Sequence, residues 1–298
     1  MRSPRPRYGI AEWFGEPFKE IAADLRKDLA MIATRSGREA AASQPRFCPF
    51  QTAVPCRKPG GVCSIRAYSK GPRGRLGNPA GEPVITCPKR FEEGQLLVHW
   101  LADIVGFRPE EVMIAREVPF MKGSETGKAA GMIDFVVAQP SGGTLPWYGL
   151  EIQAVYFSGR GMGSEFDRVR QHPDRLEFPS DVRRPDWRSS GAKRLMPQLQ
   201  IKVPTLRRWG AKLAVAVDAP FFASLGGPSS EPSKDLGDGD IIWLVPELTV
   251  DKEGRHRLVR GHWEVLTLEK SSDKLLAAKT VSRSAFEDTL QGKLKPLN

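Results

Sequence analysis

The chain has 298 residues, 40% of them hydrophobic, and a formal net charge of +10. That length and composition allow one large domain, or a core with an added lobe, that buries a substantial interior. No window approaches the ~20 apolar residues that a bilayer span needs, which excludes a membrane-spanning helix.

A positive surplus of this size points to a polyanionic partner. Nucleic acid is the usual one, because neutralised phosphates release condensed counterions. Charge alone leaves open a basic protein with no such partner. The basic start from Met1 to Arg7 is not followed by a signal peptide's apolar run, so a cytoplasmic protein is expected. Disulfides are unusual in that reducing compartment, which bears on Cys48, Cys56, Cys63 and Cys87, the only cysteines of the chain.

In chain order, the basic arm runs to Tyr8. Phe14, Phe18, Ile21, Leu25, Leu29 and Ile32 then recur at helical spacing, with Lys19, Glu20, Asp24, Lys27 and Asp28 between them. This predicts an amphipathic helix packed on a core. Residues 36–88 are rich in Gly, Pro, Arg and Cys and show little periodicity. Such a segment is disordered unless a cross-link or a metal ties it. A second helix is predicted at about 90–106, with Leu96, Leu97, Trp100, Leu101, Ile104 and Val105 as its stripe and Gly106 as its stop. Strands are predicted at Val112–Val118, Met132–Ala138 and Tyr148–Phe157. A helix at about 193–209 carries Leu195, Leu199, Val203 and Leu206, and Pro204 should kink or split it. Lys212–Asp218 reads as a buried strand, Gly226–Gly239 as a polar loop, Ile241–Val245 and Arg257–Leu268 as strands, and 272–292 as one or two short helices. Helix, three strands, helix and strand across 90–218 make an α/β layout that many proteins share.

The polar residues inside these strands carry the chemistry. Asp134 interrupts the apolar run Met132–Val137, and Glu151 and Gln153 interrupt Leu150–Val155. Alternation puts Glu151 and Gln153 on one face, with Leu150 and Ile152 on the other. If adjacent strands set Asp134 beside Glu151, two carboxylates converge. Hard oxygen ligands of that kind hold Mg²⁺, which stabilises transition-state charge and generates hydroxide for phosphodiester cleavage. The same acids could instead line a polar sheet face and pair with arginines. A bent sheet could add Glu117 as a secondary ligand, or leave it a solvated strand-end residue.

The cysteines are spaced C-x7-C-x6-C-x23-C, without the tight C-x2-C pairs of zinc ribbons. The spacing supports a metal site and leaves its identity open, since four thiolates in a tetrahedron suit zinc or iron. Gly159-Arg160-Gly161-Met162-Gly163 lacks the G-x-G-x-x-G spacing of a dinucleotide loop. His99, His172, His256 and His262 show no metal-ligand spacing, and His99 reads as structural. Arg183, Arg184, Arg188, Lys193 and Arg194, around Trp187, form a basic stretch that contacts phosphates or lies in a solvated loop.

Several short pieces, in shared order, carry a resemblance. They are Arg7-Tyr8-Gly9-Ile10-Ala11-Glu12-Trp13, Cys48-Pro49-Phe50, Gly60-Gly61-Val62-Cys63-Ser64 and Cys87-Pro88-Lys89-Arg90-Phe91. Leu150-Glu151-Ile152-Gln153-Ala154-Val155-Tyr156-Phe157-Ser158-Gly159, the strongest, is followed by Pro197-Gln198-Leu199 and Leu206-Arg207-Arg208-Trp209-Gly210. In these the chain resembles the NotI restriction endonuclease family over most of its length.

The resemblance implies a PD-(D/E)xK core, a mixed sheet flanked by helices, with Asp134 and Glu151 as ligands of a catalytic Mg²⁺. Gln153 stands where that superfamily normally has Lys, and the NotI family similarly uses Glu-x-Gln. A neutral amide can orient the attacking water but adds no positive charge. The resemblance also implies a structural iron, with zinc the alternative, held by Cys48, Cys56, Cys63 and Cys87 in an inserted lobe. The expected division is an N-terminal arm and helix at 1–35, the metal lobe at 36–88, and the catalytic core with C-terminal strands and helices at 89–298. The expected function is a type II restriction endonuclease that cuts double-stranded DNA at a specific, palindromic, GC-rich site. A palindromic site implies a homodimer, because two-fold protein symmetry mirrors two-fold site symmetry. A cysteine-metal DNA-binding protein with an inactive core, or a repair nuclease, are the other readings. The intact Asp134, Glu151 and Gln153 set favours activity.

Overall fold

The computed structural model describes residues 5–34, 46–276 and 281–296. The chain opens on strand β1 (Arg7–Trp13), β2 (Glu16–Pro17) and helix α1 (Ala23–Thr34). Strands β3 (Val62–Lys70), β4 (Leu76–Pro79) and β5 (Val84–Ile85) follow. These strands form one sheet in the order β2-β1-β3-β4, with β5 also paired to β3.

Two sequence expectations fail here. The predicted helix from Phe14 begins only at Ala23, because Gly15, with φ of +82°, closes a tight turn that pairs Trp13 with Glu16. Phe14, Phe18 and Ile21 still pack with Leu29 in one apolar cluster, so the periodic residues are core residues off the helix. Residues 62–70 order themselves as a strand, with Val62, Ile65, Ala67 and Tyr68 buried and β1 paired antiparallel alongside. Sheet pairing with a segment far back in the chain supplies the order that local pattern did not reveal.

Helix α2 (Leu96–Ile104) starts with its apolar stripe but later than the expected residue 90, after a 3₁₀ run in which Gly94 and Gln95 take left-handed backbone. Strands β6 (Met113–Lys122), β7 (Ala129–Ala138) and β8 (Trp147–Ile152) form an antiparallel meander. The predicted strand to Phe157 stops at Ile152. The chain then leaves the sheet, and β9 (Phe157–Gly159) pairs instead with β10 (Arg183–Pro185). Helices α3 (Gly163–Gln171) and α4 (Trp187–Ser190) flank β10.

Helix α5 (Met196–Arg208) runs unbroken through Pro204, losing one backbone bond without splitting. Strand β11 (Leu213–Ala216), helix α6 (Ala219–Ser224), strands β12 (Ile241–Val250) and β13 (His256–Leu266), and helices α7 (Leu268–Leu276) and α8 (Arg283–Gln291) complete the chain.

The result is a mixed α/β fold around a six-stranded mixed sheet in the order β13-β12-β11-β8-β7-β6. Strand β11 lies parallel to both neighbours, β8 and β12. Its Leu213 and Val215 pack with Leu199, Val203 and Leu206 of α5, while Ala214 and Ala216 pack with Leu97, Trp100 and Leu101 of α2. A strand covered on both faces must be apolar throughout, which is why 212–218 was legible. No helix among the described residues is long and apolar enough to cross a membrane.

Candidate active site

The antiparallel register of β7 and β8 sets Phe135 across from Leu150, which makes Asp134 and Glu151 the next pair along the strands. Each carboxylate reaches the backbone of the other's strand. The Asp134 N–H donates to Glu151 Oε1 at 3.3 Å, and the Ile152 N–H donates to Asp134 Oδ2 at 3.0 Å. Glu151 is only 2% exposed. Burial, and then the charge of Asp134, push its carboxyl up to about 7 against the opposing pull of Lys202. The two acids that interrupted the strands are thus neighbours.

Gln153 is buried just beyond the end of β8. Its backbone N–H donates to Ala216 O at 3.0 Å and its side-chain amide to Ala154 O at 2.6 Å. Glu117 is exposed on β6, between the pairs Arg116↔Phe135 and Val118↔Ile133, and therefore faces Asp134 across the ladder. Its φ of 51° is left-handed, a strained conformation for a residue with a side chain.

Two open clefts meet at these residues. One, of about 1050 Å³, is lined by Gln51, Lys89, Glu92, Arg116, Glu117 and Asp134. The other, of about 670 Å³, is lined by Asp134, Glu151, Gln153, Tyr156, Arg160 and Gln198. Asp134 and Ile152 line both, so Asp134 sits between the two clefts, while Glu151 lines only the smaller one.

Two residues of this region escaped the sequence reading. Lys202 of α5 sets Nζ 2.7 Å from Glu151 Oε2 and donates to Gln198 Oε1 at 3.0 Å. The signal was a lysine beside Val203 within the apolar stripe of Leu199, Val203 and Leu206. Glu92 pairs with Arg116 at 2.6 Å and Lys89 at 2.9 Å inside the larger cleft.

The basic stretch divides. Arg183 is buried and bonded to Glu165 and to Arg160 O, so it holds the loop after β9 rather than facing solvent. Arg184, Arg188, Lys193 and Arg194 are exposed, and Arg194 stacks 3.5 Å over the ring of Tyr156 at the smaller cleft. Among the histidines, His256 is buried and pushed down to about 4 by burial and by the charges of Arg66 and Arg90. His99 and His172 are exposed.

The cysteines come together in two backbone couples. Cys48 N–H donates to Val54 O and Cys56 N–H to Arg46 O, folding residues 46–56 back on themselves. Cys87 N–H donates to Cys63 O at 3.2 Å. No disulfide links them. Burial raises the thiols of Cys56, Cys63 and Cys87, and charges from other cysteines of the group add to each rise. Even so, among the described residues no three His, Cys, Asp or Glu side chains form a group that could hold a metal ion. The Cys63 thiol is turned toward Gly61 O at 3.6 Å. The assembled four-thiolate cluster expected from the sequence is not seen, although its cysteines are neighbours.

A family model described as restriction endonuclease NotI matches residues 30–258, a span that includes both carboxylates, Gln153, Lys202 and all four cysteines. No curated protein matches the chain. The chain belongs to the NotI family of restriction endonucleases, and is thereby a type II enzyme that cleaves DNA at a specific site.

Proposed function

We propose that this enzyme hydrolyses both strands of double-stranded DNA at a palindromic, GC-rich site. It would act as a homodimer, with a catalytic Mg²⁺ held by Asp134 and Glu151 on a PD-(D/E)xK core. The observation that carries the reading is the reciprocal clamp of Asp134 and Glu151 beside the smaller cleft, with Asp134 also lining the larger.

The donor set fits the ion. Mg²⁺ is usually held by one or two carboxylates, completed by waters and substrate phosphate, and here two oxygen donors stand close enough for one charge to raise the other's proton affinity. When bound, the ion supplies Lewis-acid stabilisation of developing charge and lowers the pKa of a bound water. Asp134 and Glu151 hold it. Gln153 hydrogen-bonds and orients the water or a phosphate oxygen, and Glu117, which faces Asp134 across the ladder without forming a three-acid group, is at most a secondary ligand. Exposed Arg184, Arg188, Lys193 and Arg194 contact the phosphate backbone, which fixes the position of the duplex without reading its sequence.

The cysteine segment, proposed as a metal lobe at 36–88 between an N-terminal arm and the catalytic core, carries a structural iron, with zinc the alternative. Soft thiolate donors suit either ion, and the mutual charge effects among Cys48, Cys56, Cys63 and Cys87 support their closeness. Four protein ligands leave no open position, so this ion takes no part in cleavage. Elemental analysis should find about one iron or zinc per chain, and visible absorption separates coloured ferric thiolate from colourless zinc.

The test of function is digestion of a long, sequenced DNA in Mg²⁺, followed by sequencing of the ends. Ends at one recurring palindrome are expected. Random nicks would indicate a general nuclease, and intact DNA a binding protein.

A further inference from the structure

We propose that Lys202 is a positioning residue of the active site, supplying from helix α5 the positive charge that Gln153 cannot. The inference rests on the active-site reading above and adds a residue to it.

Lys202 sits on the buried face of α5, where Leu199, Val203 and Leu206 are apolar core residues. Its side chain is 7% exposed. An ammonium group at such a place costs several kcal/mol unless it is well paired, and a leucine or methionine would fill the space without that cost. Its partners account for it. Nζ lies 2.7 Å from Glu151 Oε2, and Gln198, one helical turn earlier, receives a second bond at 3.0 Å.

The arrangement divides the two oxygens of Glu151. Oε2 faces Lys202, while Oε1 accepts from the Asp134 backbone and so lies on the Asp134 side. A carboxylate gripped in this way cannot rotate freely, and Oε1 stays on the side of Asp134. The cation also stands where negative charge would otherwise accumulate from Asp134, Glu151 and an incoming phosphate. Preorganised charge in a buried site is worth far more than in water. Gln198 acquires a role as well, since its carbonyl oxygen keeps the ammonium from swinging away along the helix.

The test uses the full chain and compares Lys202→Met, Lys202→Arg and the double variant Lys202→Met with Gln153→Lys. Three readouts are taken: thermal melting, single-turnover cleavage in Mg²⁺, and Ca²⁺ binding to the protein–duplex complex by calorimetry. The expected result is a split. Lys202→Met cleaves slower by on the order of a hundredfold, yet binds Ca²⁺ at least as tightly as the parent, because a competing positive charge has gone. Moving the charge to position 153 restores at least about a tenth of the parental rate, and Lys202→Arg recovers part of it.

A folded Lys202→Met that cuts at the parental rate would overturn the proposal. So would loss of cleavage and Ca²⁺ binding together with no recovery in the double variant, which is what a purely structural ion pair would give. If Lys202→Met fails to fold because Glu151 is left buried and unpaired, the double variant still decides: folded and inactive, it refutes the idea. Glu151→Ala serves as the control. If that variant still cuts, the active-site reading itself fails; if it is inactive while Lys202→Met is unaffected, only the role of Lys202 fails.

Discussion

Glu151 titrates in a window that ties stability to activity. Its carboxyl, ordinarily near 4.5, is pushed up to about 7 by burial and by Asp134. A raised acid binds its proton more tightly in the folded chain, so its contribution to stability is complete below 4.5 and lost as pH rises through about 7. Metal binding needs the ionised form, so cleavage should fall as pH drops through the same range. Glu151→Gln cannot ionise. In thermal melts without divalent ions its stability relative to the parent should rise from pH 5 to pH 8, on top of a pH-independent loss from leaving Lys202 without its carboxylate; a constant difference across that range would show that Glu151 is not the titrating group. Asp134 and Glu151 were legible as candidates because each interrupts an apolar strand, and Gln153 because it interrupts the apolar run that continues past Ile152. Lys202 was not read as part of the site, because its partner lies on a different element and only tertiary packing joins them. The strained backbone of Glu117 left no mark in its residue type.

At the scale of elements, the ends of the chain's first strand and of the turn before α2 meet in a buried ion pair. Arg90 Nε lies 2.9 Å from Glu12 Oε1, with both side chains fully buried. Ser64 donates to Glu12 at 2.6 Å, and Arg90 also bonds Glu93 and the carbonyl of His256. Burial pushes the Glu12 carboxyl up, and Arg90 and Ser64 pull it back. These contacts join the N-terminal sheet to β13 of the central one. Removing one partner of such a pair leaves a buried charge alone, so Arg90→Met should cost about 3–5 kcal/mol in urea unfolding. A change under about 1 kcal/mol, the range of an exposed pair, would mean that the pair does not hold the sheets together. The central strands and α5 were readable from periodicity, since each has one or two apolar faces. Strand β1 was not. Phe14, Phe18 and Ile21 fall at helical spacing while lying in a turn and loop, and the strand's partner β3 is some fifty residues away in sequence.

At the scale of the whole molecule, the charge of +10 and the paired clefts describe a surface suited to a polyanion. The palindromic site proposed above would be matched by two chains related by a two-fold axis. Sedimentation at saturating protein should therefore find two chains per specific duplex, with affinity falling steeply as salt rises. One chain per duplex would contradict the symmetric arrangement. Composition indicated a nucleic-acid partner but no stoichiometry, because self-complementarity is a property of a folded surface and not of a residue pattern.

The central claim is that Glu151 belongs to the centre that cuts DNA, and single-turnover cleavage by Glu151→Ala tests it most directly. Binding of the same duplex is measured in parallel in Ca²⁺. The account predicts that cleavage is abolished while affinity for the duplex stays within about threefold, because phosphate and base contacts lie elsewhere. Cutting by the variant at near the parental rate would contradict it.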